Sequence, residues 1–225
     1  MRRLGLVGTI VILALLLAGG YTASAGAAVY QDLDGCRQAL VAAQGSMRAA
    51  ARTADAAELQ SAAGQLKVAE QHFNDARGRS STDPALRLAS GIPGAGRQLE
   101  ASTHLASIGA DMSRAGEGAA AVAIQVAGLK QEYAGRRMTA DDLQAALQEA
   151  QAIARTYSAS IRAISLELRA AHAERAQVDT TRLVGPLKDA YDAVDRALAE
   201  ADTSFLRYQD VRQVLSEFLG VQLPA

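Results

Sequence analysis

The sequence predicts an all-α protein: an N-terminal transmembrane helix followed by an elongated antiparallel bundle of about five helices. Three observations predict it. Met1-Arg2-Arg3 precedes an uncharged run that lasts until Asp32 and is densest in LGLVGTIVILALLLAGG. Beyond that run, apolar residues recur at alternating steps of four and three, the spacing of a helix that lays one narrow stripe against its neighbours. Aromatic residues make up 4% of the chain, Trp is absent and β-branched residues are few, which leaves little to build a sheet.

The implied organisation is a membrane anchor or signal segment over 1–30 and an extracytoplasmic helical bundle over 31–225, broken at 79–96. Basic residues ahead of an apolar run hold the N-terminus in the cytoplasm and send the downstream chain across the membrane. Leu4 to Gly20 is long for a signal-peptide core and slightly short for a span of ~20 apolar residues. The uncharged residues through Tyr30 make up the difference, with Tyr21 and Tyr30 near the outer interface. Ala23-Ser24-Ala25 fits the small-x-small cleavage rule and speaks for a cleaved signal. Against it, Val29, Leu33, Cys36, Leu40, Ala43, Met47 and Ala50 keep helical step from the apolar run into the domain. The expectation is therefore an uncleaved, single-pass anchor in a bacterial cell membrane, with the C-terminal domain outside the cytoplasm.

Each later element has its own stripe. Asp55, with Glu58 three residues on, caps a helix whose apolar face is Leu59, Ala62, Leu66, Ala69, Phe73 and Ala76. Thr82-Asp83-Pro84 starts a short helix, and Gly91-Ile92-Pro93-Gly94-Ala95-Gly96 ends it in a bend. A third long stripe runs Leu105, Ile108, Met112, Ala115, Ala119, Val122, Val126, Leu129 and Tyr133. Thr139 opens a fourth, through Leu143, Leu147, Ala150, Ala154, Tyr157, Ile161, Ile164, Leu168 and Ala171. Leu147 and Ile161 are expected to point inward. The fifth begins with Pro186 in its first turn and carries Leu187, Tyr191, Val194, Leu198, Ala201, Phe205 and Tyr208, continuing to Phe218. The breaks between these helices fall at Thr53-Ala54-Asp55, Gly135-Arg136-Arg137 and Asp179 to Gly185.

No residue cluster points to catalysis, and the expected sets of catalytic, cofactor-binding and metal-binding residues are empty. With 23 basic and 24 acidic residues interspersed, nothing suggests nucleic acid. Cys36 is the only cysteine, so no internal disulfide forms. Leu33-Asp34-Gly35-Cys36 superficially resembles a lipidation signal, but Asp34 is wrong for it and Cys36 lies beyond the apolar run, so Cys36 reads as a small packed hydrophobe. His72, His104 and His172 lie on three different helices without a partner at ligand spacing and read as surface imidazoles. Gly116-Glu117-Gly118 reads as a kink or a close helix crossing. Arg136-Arg137 reads as a solvated helix end.

YQDLDGCRQALVAA after an anchor, then AELQSAAGQLKVAEQHFNDA, then DPALRLASGIPGAGRQLEA, resembles the membrane-proximal part of domain-of-unknown-function family 4012. That family has one N-terminal anchor, Ala-rich helices and a short amphipathic element ending in a Pro-x-x-Gly turn, here Pro93 to Gly96. The resemblance covers roughly residues 1–220. It implies a bacterial envelope protein, and FLGVQLPA resembles the approach to the family's larger extracytoplasmic domain. The family carries no assigned activity, so the resemblance implies none.

The functional expectation is a non-catalytic, membrane-anchored stalk, scaffold or protein-interaction surface, with the membrane as one partner through Leu4–Tyr30 and another envelope protein as the other. Two other readings stay open: a sensor-like ligand-binding bundle, and an accessory part of an envelope enzyme whose catalytic domain is elsewhere.

Overall fold

The computed structural model describes Gln38, Ala39, Ala42, Ala43, Ser46, Ala49 and residues 55–209, apart from 93, 134–138 and 157. Within these residues every regular element is helical. Six α-helices come after the helical residues before 50: α1 (Ala56–Thr82), α2 (Pro84–Ser90), α3 (Ala95–Tyr133), α4 (Ala140–Thr156), α5 (Ser158–Gln177) and α6 (Gly185–Gln209). A 3-10 turn at Thr180–Arg182 joins the last two. The anchor segment Leu4–Tyr30, Cys36, the turn at Thr53-Ala54 and Arg136-Arg137 lie outside the described residues. No helix among the described residues is long and apolar enough to cross a membrane.

The helix starts obey local capping chemistry. The Asp55 carboxylate accepts from the Ala57 N–H at 2.8 Å, satisfying a donor that the helix itself leaves unpaired. Asp83 does the same for α2, accepting from Ala85 and Leu86. At α4, Thr139 and Asp142 cap reciprocally: the Asp142 N–H donates to the Thr139 hydroxyl oxygen, and the Thr139 N–H donates to the Asp142 carboxylate. α1 runs to Thr82, taking in the first four residues of the expected break. The Ser81 and Thr82 hydroxyls donate back to the Gly78 carbonyl, so these residues finish the helix instead of leaving it.

The central element is α3, whose 39 residues span about 58 Å. α1 runs antiparallel along one flank, with Leu66 opposite Gly116 and Phe73 opposite Gly109. α5 runs antiparallel along another, with Ile164 opposite Gly118. α6 closes the bundle, and Leu187 and Leu198 join Leu105, Ile108, Ala115, Ile164 and Leu168 in one core cluster. A second cluster joins Phe73, Ala76 and Leu86 to Ala106 and Ala110, and Ala39 packs against it. The Gly116–Gly118 pair is thus a double crossing, since the helix stays α-helical through it while one glycine faces α1 and the other α5.

All six residues of the first stripe, Leu59 to Ala76, are buried. The fourth stripe is met in part. The residues expected to form one helix are helical on both sides of position 157, which lies outside the described residues, and among the side chains described there Ala146, Ile164, Leu168 and Ala171 are buried. Leu147 and Ile161 are only half-buried. The physical reason is partnership: α5 lies along α3, whereas α4 packs lightly on the bundle and has less to bury against.

The bend at Gly91–Gly94 falls inside the expected break. Gly94 has φ +99°, a conformation that costs any residue with a Cβ. Gly96 is already in the first turn of α3, and a Cβ there would run into the Ser90 carbonyl. Gly96→Ala is expected to destabilise by about 1–3 kcal/mol as the turn is forced open. Gly64→Ala, in mid-α1 with nothing within 4 Å of the new methyl, is expected to stabilise by about 0.5–1 kcal/mol. Urea unfolding of the two variants checks the opposite signs.

Candidate functional site

The densest polar feature lies where α1, α3 and α5 meet. Arg114 of α3 donates from Nε to Glu167 of α5 at 2.9 Å and from Nη1 to Glu70 of α1 at 3.2 Å. Its Nη2 pairs with Asp111 one turn earlier. One guanidinium therefore fastens three helices, a task suited to its planar fork of donors. Asp111 is buried, at 7% exposure. One turn beyond Arg114, Glu117 lies close enough to Glu70 and Lys67 to feel both charges.

Burial pushes the Asp111 carboxyl above its ordinary range; Arg114 pulls it down without compensating, and Glu167 and Glu174 push it up again. Glu117 is raised for the same first reason, burial, with Glu70 adding to it. Burial alone would lower the Arg114 guanidinium, but its hydrogen bonds to Glu167 and Glu70 hold it above its usual value.

Two of the three histidines have carboxylate partners on other helices. His104 Nδ1 lies 2.6 Å from Glu174 between α3 and α5, and His172 Nε2 lies 2.8 Å from Asp202 between α5 and α6. The expectation of ordinary surface imidazoles holds least for His104, whose side chain is 23% exposed. Sequence spacing could not reveal either pair, because the partners are 70 and 30 residues away. Farther along α5 and α6, Arg175 pairs with Asp195 and sits 5.8 Å over the Tyr191 ring. Among the described residues, no three His, Cys, Asp or Glu side chains come close enough to hold a metal ion.

An open cleft of about 630 Å³ lies where the bend meets α1 and α3, lined by Ser80, Ser90, Arg97, Glu100, Thr103 and His104 among others. Its hydroxyls are already committed. Ser80 donates to the Ala76 carbonyl, Ser90 to Arg87 and Thr103 to Leu99, while His104 is engaged by Glu174. Small-molecule sites instead aim a few polar groups at one point. The arrangement of these polar groups accounts for helix register: every ion pair described here except Arg114–Asp111, which lies within α3, joins two helices at one height along the bundle.

No family model, no curated protein and no solved structure matches the chain.

Proposed function

We propose that this chain is a single-pass envelope protein whose helical bundle serves outside the cytoplasm as a stalk or assembly surface, held to the membrane by Leu4–Tyr30. The observation that carries the reading is the uncharged run behind Arg2-Arg3, which is long enough with Tyr21 to Tyr30 to span a bilayer. The bundle supports it in a second way. Its polar side chains are spent on joining helices, and its length suits holding a partner away from the membrane. The kinship to the membrane-proximal part of family 4012 belongs to the same proposal, as does a second envelope protein as partner.

Protease added to spheroplasts is expected to degrade the helical domain while intact cells protect it, and the chain is expected to stay with the membrane through alkaline extraction. A membrane-detached form beginning near Gly26 would replace the anchored protein with a secreted one. Cross-linking in membranes followed by identification of the attached protein names the partner.

A further inference from the structure

One end of the bundle differs from the rest in surface chemistry. It is built from α2, the Gly91–Gly94 turn, the start of α3 and the link between α5 and α6. Gln98 ties the two loops together: its Nε2 donates to the Arg182 carbonyl at 2.6 Å, and its Oε1 accepts from the Val184 N–H at 3.2 Å. Three large apolar side chains stand in solvent at this end: Leu88 at 77% exposure, Ile92 at 58% and Val184 at 50%. Exposed Arg87, Arg97 and Arg182 surround them. The acids among them, Asp83 and Asp179, cap by accepting from Ala85 and from Thr181, and Asp179 lies close enough to Arg182 and Arg97 to feel both charges, leaving Arg87 the arginine farthest from that pairing. Glu100 and Asp189 lie a turn farther in. At the opposite end the described helix starts are acidic, with Asp55, Glu58, Asp141 and Asp142.

The chain enters the bundle at the basic, apolar end. Ala39 packs beside Leu99 against the cluster of Phe73, Ala76 and Leu86. Only eight residues separate Tyr30 from Ala39. The nine residue-to-residue steps reach about 30 Å fully extended and about 13 Å as helix. Whatever their path, they hold this end near any bilayer that Leu4–Tyr30 occupies, and leave the acidic end of the roughly 58 Å α3 pointing away.

We infer that this end is a membrane-docking tip: Leu88, Ile92 and Val184 seat in the headgroup layer of the outer leaflet, while Arg87, Arg97 and Arg182 meet anionic lipid. The inference rests on the anchored reading of Leu4–Tyr30. Apolar side chains ringed by arginine are the chemistry of an interfacial contact, and each cation near an anionic surface strengthens it about fivefold. Three contacts around one anchor hold the bundle upright, which gives a stalk its direction.

The test uses the full chain in vesicles of phosphatidylglycerol and phosphatidylcholine. Cys36→Ser removes the native thiol, and single cysteines at Leu88, Ile92 or Leu166 carry an environment-sensitive fluorophore. Labels at 88 and 92 are expected to be blue-shifted and quenched by shallow spin-labelled lipid, while the label at Leu166, on the flank of α5, stays in water. Arg87→Gln and Arg97→Gln are each expected to lower the ratio of shielded to exposed label about fivefold, and high salt to act in the same direction. If the vesicles carry the protein to the top of a gradient but all three labels remain in water, docking is refuted and the anchor stands. If 166 is shielded as strongly as 88, the bundle lies flat and the upright tip is refuted. If the protein does not float at all, both the anchor and the tip are refuted.

Discussion

Phe73→Ala is expected to cost about 3–5 kcal/mol, the largest loss of any single truncation in this bundle. The ring is 5% exposed and fills the gap that Gly109 leaves on α3, so closely that a Cβ at Gly109 would strike it. Most of the surrounding core is alanine, which buries little area per residue and cannot repack into the hole. For a chain of this size the melting temperature is expected to fall by about 2–4 °C per kcal/mol. Gly109→Val attacks the same contact from the other side, by driving methyl groups into the ring. The double variant Phe73→Ala, Gly109→Ala is expected to lose less than the sum of its single changes, with a coupling of about 0.5–3 kcal/mol. Additive losses would mean that the two helices do not cross at this point.

Arg114→Met is expected to destabilise by about 2 kcal/mol at neutral pH. Breaking a fully buried ion pair costs about 3–5 kcal/mol, and the side chain's 35% exposure reduces that through solvent screening. The change takes from Asp111, Glu70 and Glu167 the guanidinium they share, leaving Asp111 only the weaker pull of Arg77. The sign of the pH dependence comes from the raised carboxyl of Asp111. A group raised in the folded state contributes stability that is fully present below its unfolded value and is lost as pH rises through its folded value. Ionised Asp111 is thus a liability at neutral pH that Arg114 offsets. The deficit of Arg114→Met is expected to shrink as pH falls from 7 towards the ordinary carboxylate range, and Asp111→Asn is expected to gain on the wild type over the same interval as pH rises. Urea unfolding at several pH values checks both slopes. A pH-independent deficit would assign Arg114 to packing alone.

The apolar architecture was legible in the sequence wherever a helix has one buried face. On α1 the four-three stripe from Leu59 to Ala76 named every buried apolar residue. On α3 the same spacing found Leu105, Ile108 and Ala115 but passed over Ala101, Ala106, Ala110, Ala120 and Ala127. A central helix buries several faces at once, and alanine is too small to betray which face it occupies. Glycines 109, 116 and 118 belong to the same blind spot, because their role depends on which large side chain stands opposite. Gly116 and Gly118 were readable as a crossing only because they flank one residue. The ion pairs were not legible at all. Glu70, Arg114 and Glu167 come from three helices, so only the assembled bundle brings them together, and at each position a charged residue reads as solvated surface. Caps fared best, since Asp55, Asp83 and Thr139 bond to backbone within three residues of themselves.

Apolar seams and their close crossings are expected to contribute more to holding this bundle together than any polar pair among the described residues. Thermal melts of Phe73→Ala beside His72→Gln, His104→Gln and His172→Gln test that most directly. Phe73→Ala is predicted to lower the melting temperature far more than any histidine change. The exposed pair of His172 is worth at most about 1 kcal/mol and the part-buried pair of His104 little more. A histidine variant that melted at or below Phe73→Ala would contradict this and place a polar site at the centre of the fold.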